Sequence, residues 1–426
     1  MTTPHARVQR HFADLEGAGV MKDIESRLAP LGPEQRPLPA ALPHRPAQSG
    51  ERLALLEGLA GPLPALRGQA PQPGAEELQG NIENFVGMAQ IPLGVAGPLR
   101  IRGVWANGDF YVPLATSEGA LVASYSRGAR LAGLAGGVTC VSLGAWVQRA
   151  PGFIFAKALD AARFAAWAGG QFDAFHAAAA TRTRHGELLQ VSPHVEGNHV
   201  HLVLSYSTAE AAGQNMVTLC TQAVCEDILA RSPFRPSAWF LEANMSGDKK
   251  ATTQSLLNTR GRKVVAEALI PSALVEQVLH TSVDRMCEYW RMSFTGGAQS
   301  GSVGVSGHVA NGLAALFLAT GQDAACVAEA AIGVTRLEVG PGGGLYAALT
   351  LPNLIVGSVG GGTRLPTAAE CLRLLGCVGK GGADRLAEVA AALCLCGELS
   401  IIGALCAGDF AAAHASLGRG GGGARP

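Results

Sequence analysis

The fold is decided by three strand-like segments, FIFA (153–156), HVHLVLS (199–205) and AWFLEA (238–243), with helical stretches over 158–180 and 215–231 between them. Strands that alternate with helices in this way indicate helices packed against a sheet. The sequence therefore predicts a small α/β sandwich in the middle of the chain.

Two regions with different predicted structure precede this sandwich. Residues 1–75 are rich in proline and polar side chains, with helical stretches over 11–28 and 51–59, and they predict a loosely organised helical arm. Next come IPLGVAGPLRI (91–101) and DFYVPL (109–114), which predict two strands joined by a short polar loop at Asn107-Gly108. A core domain is expected to begin there.

Three further helical regions are predicted around and beyond the sandwich. Small and apolar residues at helical spacing indicate a packed helix over 117–134, whose first turn reaches a site. A strong amphipathic helix is expected over 272–291. Residues 384–416 predict two helices joined near Gly397, followed by a glycine-rich tail.

Composition narrows the function classes. The chain has 33 basic and 33 acidic residues among 426, so no net charge favours nucleic acid or an anionic membrane. Its longest apolar stretches are split by Gly397-Glu398 and fall short of the roughly 20 residues of a membrane span. No apolar signal core follows the N-terminus, and the ten cysteines lack zinc-site or disulfide spacing. We expect a cytoplasmic protein with free, buried thiols and no metal.

Glycine clusters and isolated charges are the candidate functional positions. Three glycine clusters could bring backbone N–H groups close to a ligand, although a tight turn is the commoner explanation of each. They are Gly296-Gly297 with Gly301 and Gly304, Gly342-Gly343-Gly344, and Gly360-Gly361-Gly362-Thr363. Neither a dinucleotide fingerprint nor a phosphate-binding P-loop is present. Lys249 in GDKK could polarise a carbonyl oxygen or lie in a solvated turn.

Two lone acids and one histidine remain ambiguous on local sequence. Glu118 and Asp323 lie among small residues, which is typical of functional acids and of helix caps alike. His414 near the chain end could be a proton donor or simply exposed.

Six motifs together resemble the hydroxymethylglutaryl-CoA (HMG-CoA) reductases in order and spacing, over about 80–420. Because the second motif contains TSEGALVAS (116–124), the resemblance is closer to the class I pattern than to class II. The motifs are ENFVGMAQIPLGVAGPL (83–99), PLATSEGALVASYSRGAR (113–130), GDKKATTQSLLNTRGRKVVAEALIP (247–271), GHVANGLAALFLATGQDAA (307–325), VGSVGGGTRLP (356–366) and GELSIIGALCAGDFAAAHAS (397–416).

The resemblance implies an NADPH-dependent, two-hydride reduction of HMG-CoA to mevalonate and free CoA, without a metal. Lys249 would stabilise the oxyanion, Glu118 would donate a proton, and Asp323 would lie between them and tune both. His414, on a mobile C-terminal flap (385–426), would protonate the departing CoA thiolate.

It also implies the binding residues. Arg149 and Arg291 would bind the substrate's carboxylate, with Arg291 standing where the family has lysine. The other implied substrate contacts are Asn244, Asn311, Ser124, Arg127, Glu83 and Asn84. The implied cofactor contacts are Thr183, Arg184, Glu210, Gly213, Gln214, Asn215, Gly360, Gly361, Gly362 and Thr363.

Departures from the family pattern concern the ligands. EAAGQN (210–215) stands where the family has DAMGMN, and Thr183-Arg184 matches a Ser-Arg pair associated with the 2′-phosphate, which favours NADPH over NADH. Glu242 replaces a family serine that touches the hydroxymethylglutaryl group. An extra acid there is unfavourable for an anionic substrate unless it is paired or turned away.

The predicted fold class is α+β, with three parts and a homo-oligomeric, shared site. The parts are an N-terminal arm (1–78), a large acyl-CoA-binding domain (79–150 and 242–426) and an inserted ferredoxin-like NADP-binding domain (151–241). The alternatives are a reductase of another carboxylated acyl-CoA, an enzyme that runs oxidatively with NAD, a catalytically silent CoA- or nucleotide-binding paralogue, and a thiol-dependent aldehyde dehydrogenase.

Overall fold

The computed structural model describes residues 4–29, 37–43 and 45–408. Ten strands lie within this part of the chain. They are β1 (Leu93–Gly103), β2 (Asn107–Ala115), β3 (Val138–Arg149), β4 (Gly152–Ile154), β5 (Leu188–Glu196), β6 (His199–Tyr206), β7 (Ala238–Phe240), β8 (Gly261–Ile270), β9 (Val334–Val339) and β10 (Leu345–Leu354).

The described residues also form fourteen α-helices, with short 3₁₀ turns between some of them. The helices are α1 (Pro4–Gly17), α2 (Met21–Leu28), α3 (Ser49–Ala60), α4 (Leu121–Leu134), α5 (Ala158–Gly169), α6 (Phe172–Ala180), α7 (Gln214–Arg231), α8 (Thr253–Asn258), α9 (Ser272–Leu279), α10 (Val283–Ser300), α11 (Val309–Thr320), α12 (Val327–Ala330), α13 (Pro366–Leu374) and α14 (Gly382–Ala407).

One long strand, β3, joins the two halves of the sheet. The strand order is β7-β4-β6-β3-β8-β10-β9, with β1 beside β2 and β3, and β5 beside β6. The first part of β3 pairs with β1 and β8, and its last three residues pair with β6. All pairings except β1–β3 are antiparallel. This mixture of helices and mostly antiparallel strands confirms the predicted α+β class.

The middle of the chain is richer in elements than predicted. Strands β4, β6 and β7 and helix α7 confirm the predicted alternation. Strand β5, which pairs only with β6 among the described strands, was not predicted. The single helix expected over 158–180 is wrong. It is divided into α5 and α6 because the chain turns at Gly170, whose N–H bonds back to the carbonyls of the last turn of α5.

Helix α14 is buried in the core, and the predicted break near Gly397 between two helices over 384–416 is wrong. Residues 409–416 of that prediction lie outside the described residues. The helix runs unbroken through Gly397 and Glu398, because both residues are enclosed by protein. A Cβ on Gly397 would lie 2.5 Å from the Tyr125 ring. The helix is long and apolar enough to cross a membrane, but 89% of its most apolar window is buried inside the protein, as in a core helix.

Two other helix predictions need correction. The helix expected over 272–291 is two helices, α9 and α10, because His280 takes a left-handed conformation (φ 55°) and Ser282 caps α10 by accepting from the Arg285 N–H. The helix expected from 117 begins at Leu121, after Ala120 at φ 67°. Glu118 therefore lies in the loop before α4.

The hairpin turn between β1 and β2 also differs from the prediction. Asn107 and Gly108 are already paired in β2, and the turn lies at 104–106. The N–H groups of Trp105 and Ala106 donate to one carboxylate oxygen of Glu388 on α14, at 2.8 and 2.7 Å. A buried acid therefore fixes this turn, which local sequence could not reveal.

The described part of the N-terminal arm is docked rather than loose. Its helices confirm the predicted helical stretches. Arg102 on β1 donates to the carbonyls of Leu28 and Ala29, and the buried carboxylate of Glu370 on α13 accepts the N–H groups of Ala65 and Leu66.

Candidate active site

An exposed ion pair stands at the centre of the site. Lys249 lies in the segment between β7 and α8, and Asp323 follows α11, where it caps a 3₁₀ turn by accepting the Ala325 N–H. The Lys249 Nζ is 2.9 Å from Asp323 Oδ2, with the two side chains 44% and 41% exposed. The hydrogen bond to Asp323 raises the pKa of Lys249, so the ammonium stays charged. A substrate oxygen can therefore reach the charged Lys249 ammonium from solvent.

Glu118 lines a cavity of about 660 Å³, to whose wall Lys249 and Asp323 do not contribute. Asn311 on α11 donates to Glu118 Oε2 at 2.8 Å. The cavity wall includes Thr116 and Leu121 near Glu118 and also Val327, which begins the helix after Asp323. Among the described residues, no hydrogen bond or ion pair joins Glu118 to Lys249 or Asp323. The prediction that Asp323 bridges the two therefore remains untested.

Arg149, at the end of β3, is already surrounded by carboxylates. Its Nη1 lies 2.9 Å from Asp248 and 3.5 Å from Glu242, and its Nη2 donates to the Thr218 hydroxyl at 2.9 Å. Burial acts to raise the pKa of Asp248, but Arg260 and Arg149 outweigh it and lower that pKa. Glu242, the acid expected to disfavour an anionic substrate, is thus paired.

The remaining substrate candidates are dispersed. Arg291 is exposed on α10, and the described residues give its side chain no ion pair with the Lys249 region. Asn244 is exposed at φ 68°, with its N–H bonded to Glu242. Ser124 and Arg127 bond to Ser400 on α14 at 3.0 Å. Glu83 and Asn84 lie in an exposed loop.

Two of the predicted cofactor segments meet, although about 150 residues separate them in sequence. Ala211 and Val359 form a parallel bridge, and the Ser358 N–H donates to the Glu210 carbonyl at 2.8 Å. The glycine loop 360–363 therefore begins beside EAAGQN. The third segment is adjacent, since the Thr183 hydroxyl lies 3.2 Å from the sulfur of Met216 in the first turn of α7.

Some residues of these segments make contacts within the protein, and others are accessible to a ligand. Glu210 accepts the N–H groups of Gly381 and Ala383 and thus caps α14, and Gly213 (φ 81°) packs against Thr208. Arg184 and Asn215 are exposed. A Cβ on Gly360 or Gly361 would meet nothing within 4 Å, whereas one on Gly362 would press on the carbonyl of Gly321; the Thr363 hydroxyl donates to the Gly360 carbonyl.

Sequence reasoning missed two buried residues beneath Lys249. Arg260 and Glu329 are 1% and 0% exposed, and the Nη1 of Arg260 lies 2.7 and 2.6 Å from the two Glu329 oxygens. Burial raises the pKa of Glu329, and Arg260 opposes that rise. Glu329 stands alone among alanines in VAEAA, the same signal that singled out Glu118 and Asp323. Applied throughout, that signal would have found it.

Two further predictions concern His414 and the cysteines. His414 lies outside the described residues. All ten cysteines are free and buried, as predicted. Burial raises the pKa of every one of them, which keeps the thiols protonated.

Comparison with known proteins defines the class first by fold. The chain resembles the class II 3-hydroxy-3-methylglutaryl-CoA reductase of Streptococcus pneumoniae, solved bound to NADPH in open conformations, with a TM-score of 0.67 and 20% identity. The match covers 84% of this chain and 86% of that one. This likeness shows that the chain has the same α+β fold.

Sequence relatives then give the family. The model described as hydroxymethylglutaryl-coenzyme A reductase matches residues 50–419. The 3-hydroxy-3-methylglutaryl-coenzyme A reductase of Haloferax volcanii is 44% identical over 351 residues, 81% of this chain and 86% of that protein. That of Aeropyrum pernix is 44% identical over 353 residues, 81% and 84% respectively. The chain belongs to the hydroxymethylglutaryl-coenzyme A reductase family, as the motifs predicted.

Proposed function

We propose that this protein reduces the thioester of HMG-CoA to the primary alcohol mevalonate and releases free CoA. The observation that carries the proposal is the exposed Lys249–Asp323 pair, held in a chain that belongs to the reductase family. NADPH, when bound, supplies the two hydrides of this four-electron reduction. The protein must then stabilise two oxyanions, supply protons and release a thiolate.

Lys249 is the group proposed to stabilise negative charge. After the first hydride reaches the carbonyl carbon, the oxygen carries the charge, and the Lys249 ammonium would meet it. A preorganised donor at such an oxygen changes the rate by about 10²- to 10³-fold. Asp323 supports this role because its 2.9 Å contact keeps the lysine charged and directs its Nζ.

Proton delivery is proposed for Glu118 and His414. When the carbon–sulfur bond breaks, an aldehyde remains and a CoA thiolate leaves; His414 would protonate that thiolate, as the family resemblance implies. After the second hydride, Glu118 would donate a proton to the alkoxide. Its place in the cavity wall supports this assignment, and the bond from Asn311 fixes its orientation.

The residues present fit NADPH. Gly360 and Gly361 have open space where a Cβ would stand, so a ligand can approach their backbone, and both take positive φ. Exposed Arg184 offers a bidentate donor for the 2′-phosphate. Gly362 and Gly213 are required for close packing within the protein, and Glu210 caps α14, so these three are not proposed as principal cofactor contacts. We therefore propose Arg184, Asn215, Gly360 and Gly361 as the principal contacts.

Binding of the substrate's carboxylate is proposed for Arg149 together with Arg291. Arg149 already forms ion pairs with Asp248 and Glu242. The substrate's carboxylate would be the third at this position, so its binding requires further positive charge. We propose that exposed Arg291 supplies this charge, from a second subunit where the site is shared as the family resemblance implies. Asn244, Ser124, Arg127, Glu83 and Asn84 remain proposed contacts of the acyl-CoA.

A shared site in a homodimer or larger assembly is part of the proposal. Exposed apolar residues in the ENFVG region favour it, with Val86 fully exposed at 101% and Ile82 at 50%. We also propose the three domains with the boundaries given above, a class I-like protein on the TSEGALVAS motif, and a cytoplasmic location.

The deciding experiment follows loss of the reduced nicotinamide absorbance with HMG-CoA. NADPH and NADH are compared, each also with an acyl-CoA that lacks the free carboxylate. Rapid turnover that prefers NADPH and requires the carboxylate is expected. Activity with another carboxylated acyl-CoA alone would favour a changed substrate, which the Glu242 and Arg291 departures motivate. CoA binding without turnover on any thioester would favour a silent paralogue.

A thiol-dependent mechanism is the less favoured alternative, because every cysteine is buried with a raised pKa. Single replacement of the cysteines by serine or alanine should leave turnover measurable in every variant. An essential cysteine would contradict the proposal.

A further inference from the structure

The backbone of Lys249 is held in an unusual conformation. Its φ is 56°, in the left-handed region that residues with a side chain seldom adopt. Gly247, two residues earlier, is also left-handed, at φ 74°. Such a conformation persists only where the surroundings impose it. The contacts of the Lys249 main chain therefore decide where its ammonium points.

One contact of that main chain comes from a fully buried acid. Glu329 Oε1 accepts the Lys249 N–H at 3.2 Å. The same carboxylate is held by Arg260 Nη1 at 2.6–2.7 Å, with both residues enclosed. Because an enclosed carboxylate requires a cation and hydrogen bonds, its position is fixed closely.

Arg260 extends this arrangement to Asp248, the neighbour of Lys249. Its Nη2 lies 3.0 Å from Asp248 Oδ1 and donates to the side-chain oxygen of Gln214 at 2.6 Å. The amide nitrogen of Gln214 in turn donates to the same Asp248 oxygen at 3.1 Å. Gln214 begins α7 within the EAAGQN motif, so the network reaches from the proposed cofactor segment to the lysine loop.

We propose that Glu329, held by Arg260, is a positioning residue for Lys249: its carboxylate fixes the left-handed backbone from which the Lys249 ammonium reaches Asp323. Gln214 completes the same network through Asp248. The proposal rests on the proposed role of Lys249 in the reduction. Glu329 itself does not touch the substrate.

A purely stabilising role is the competing explanation, and a paired substitution separates the two. Replacing Arg260 alone leaves the enclosed Glu329 carboxylate without its cation, which destabilises the fold strongly. Replacing both, as Glu329→Leu with Arg260→Met, removes the two enclosed charges together and is often neutral for stability. Asp248 loses Arg260 in this variant but keeps its ion pair with Arg149 at 2.9 Å. The paired substitution also removes the acceptor of the Lys249 N–H. Stability and positioning are thereby tested independently.

The experiment measures kcat, the KM values for both substrates, and hydrogen exchange of the 243–252 segment in the full-length protein. In the paired variant we expect a near-normal melting temperature, faster exchange of this segment, and kcat lowered at least about tenfold, since a misplacement near 1 Å can change rates about 100-fold. KM for NADPH should change less than kcat.

Two further variants sharpen the result. Glu329→Gln keeps an acceptor oxygen, so its kcat should lie between those of the wild type and the paired variant. Glu370→Gln is the matched control, because Glu370 is also buried and accepts backbone N–H groups far from Lys249. It should change neither kcat nor exchange of 243–252.

Unchanged exchange in the paired variant overturns the proposal, and so does faster exchange with wild-type kcat. If the wild type does not reduce HMG-CoA, the proposed function fails, and hydrogen exchange alone then tests whether Glu329 holds the Lys249 backbone. Retained protection of 243–252 in the paired variant overturns that role of Glu329, and lost protection supports it. Lys249→Met, measured in parallel, tests the lysine's own role.

Discussion

The acids of helix α14 and the charged residues around Lys249 contrast sharply. Glu388 and Glu398 are 0% and 1% exposed, and each accepts backbone N–H groups from remote turns, Glu388 at 104–106 and Glu398 at 307–308. Lys249, Asp323 and Glu118 have side chains that solvent can reach. Lys249 pairs with Asp323 and Glu118 with Asn311, and within the described chain the one backbone N–H held by these acids is the local one of Ala325, bound by Asp323.

Exposure and the kind of partner separate structural acids from reactive ones in this protein. A carboxyl group that is enclosed by protein and held by backbone N–H groups cannot be reached by a ligand. A charge that is half exposed and paired with one side chain can exchange that partner for a substrate atom. We therefore expect substitutions in the first group to change stability and those in the second to change turnover.

The largest expected effect is on turnover. Lys249→Met should lower kcat by about 10²- to 10³-fold, because the oxyanion loses its charged donor. The free energy of unfolding should change by less than about 0.5 kcal/mol, since the side chain is exposed. Steady-state rates and urea titration measure the two quantities. Lys157→Met, at an exposed position before α5, is the control; near-normal turnover in the Lys249 variant would contradict the assignment.

The converse effect is expected at Glu398. Glu398→Ala removes the acceptor of the Gly307 and His308 N–H groups and of the Thr335 hydroxyl. Each buried donor left without a partner is destabilising by about 1–3 kcal/mol, so a loss of about 3 kcal/mol is expected in urea unfolding. Glu276→Ala, an exposed acid on α9, should change little. If the two variants were equally stable, the enclosed acids of α14 could not be distinguished from exposed acids by their effect on stability.

Packing of α14 gives the next prediction. A Cβ on Gly128 of α4 would lie 1.9 Å from the carbonyl oxygen of Cys396. Gly128→Ala should therefore lower the free energy of unfolding by about 1–3 kcal/mol. Gly296→Ala is the matched control, because Gly296 is also helical and its Cβ would meet nothing within 4 Å. That variant should be stabilised by roughly 0.5–1 kcal/mol. Thermal unfolding of both variants tests the contrast.

A smaller effect is expected from pH. Burial raises the pKa of Glu388 from 4.5 to about 8, while the bonds from Ala106 and Trp105 act to lower it. With the folded-state pKa above the unfolded one, this group's contribution is fully present below about pH 4.5 and is lost as pH rises through about 8. Glu388→Gln should remove that loss, on the order of 1 kcal/mol or more. If the free energy of unfolding depended on pH in the same way in the wild type and in Glu388→Gln, the raised pKa of Glu388 would be contradicted.

The smallest effect is expected at Arg291. Arg291→Lys keeps the charge and restores the residue that the family resemblance places there, so KM for HMG-CoA should change by less than about threefold. Arg291→Ala should raise it more, with kcat less affected. An unchanged KM in the alanine variant would remove Arg291 from the proposed site.

Sequence alone determined the α+β class, the central alternation of strands and helices, the family and the residues Lys249, Asp323 and Glu118 as candidates. These follow from local periodicity and from motifs whose residues stay near one another along the chain. Three features come from the packed fold instead: α14 is unbroken, Glu388 fixes the hairpin turn, and Glu242 is paired. Each of these depends on partners about 90 to 280 residues distant, and burial against such partners outweighs local helix and turn propensities.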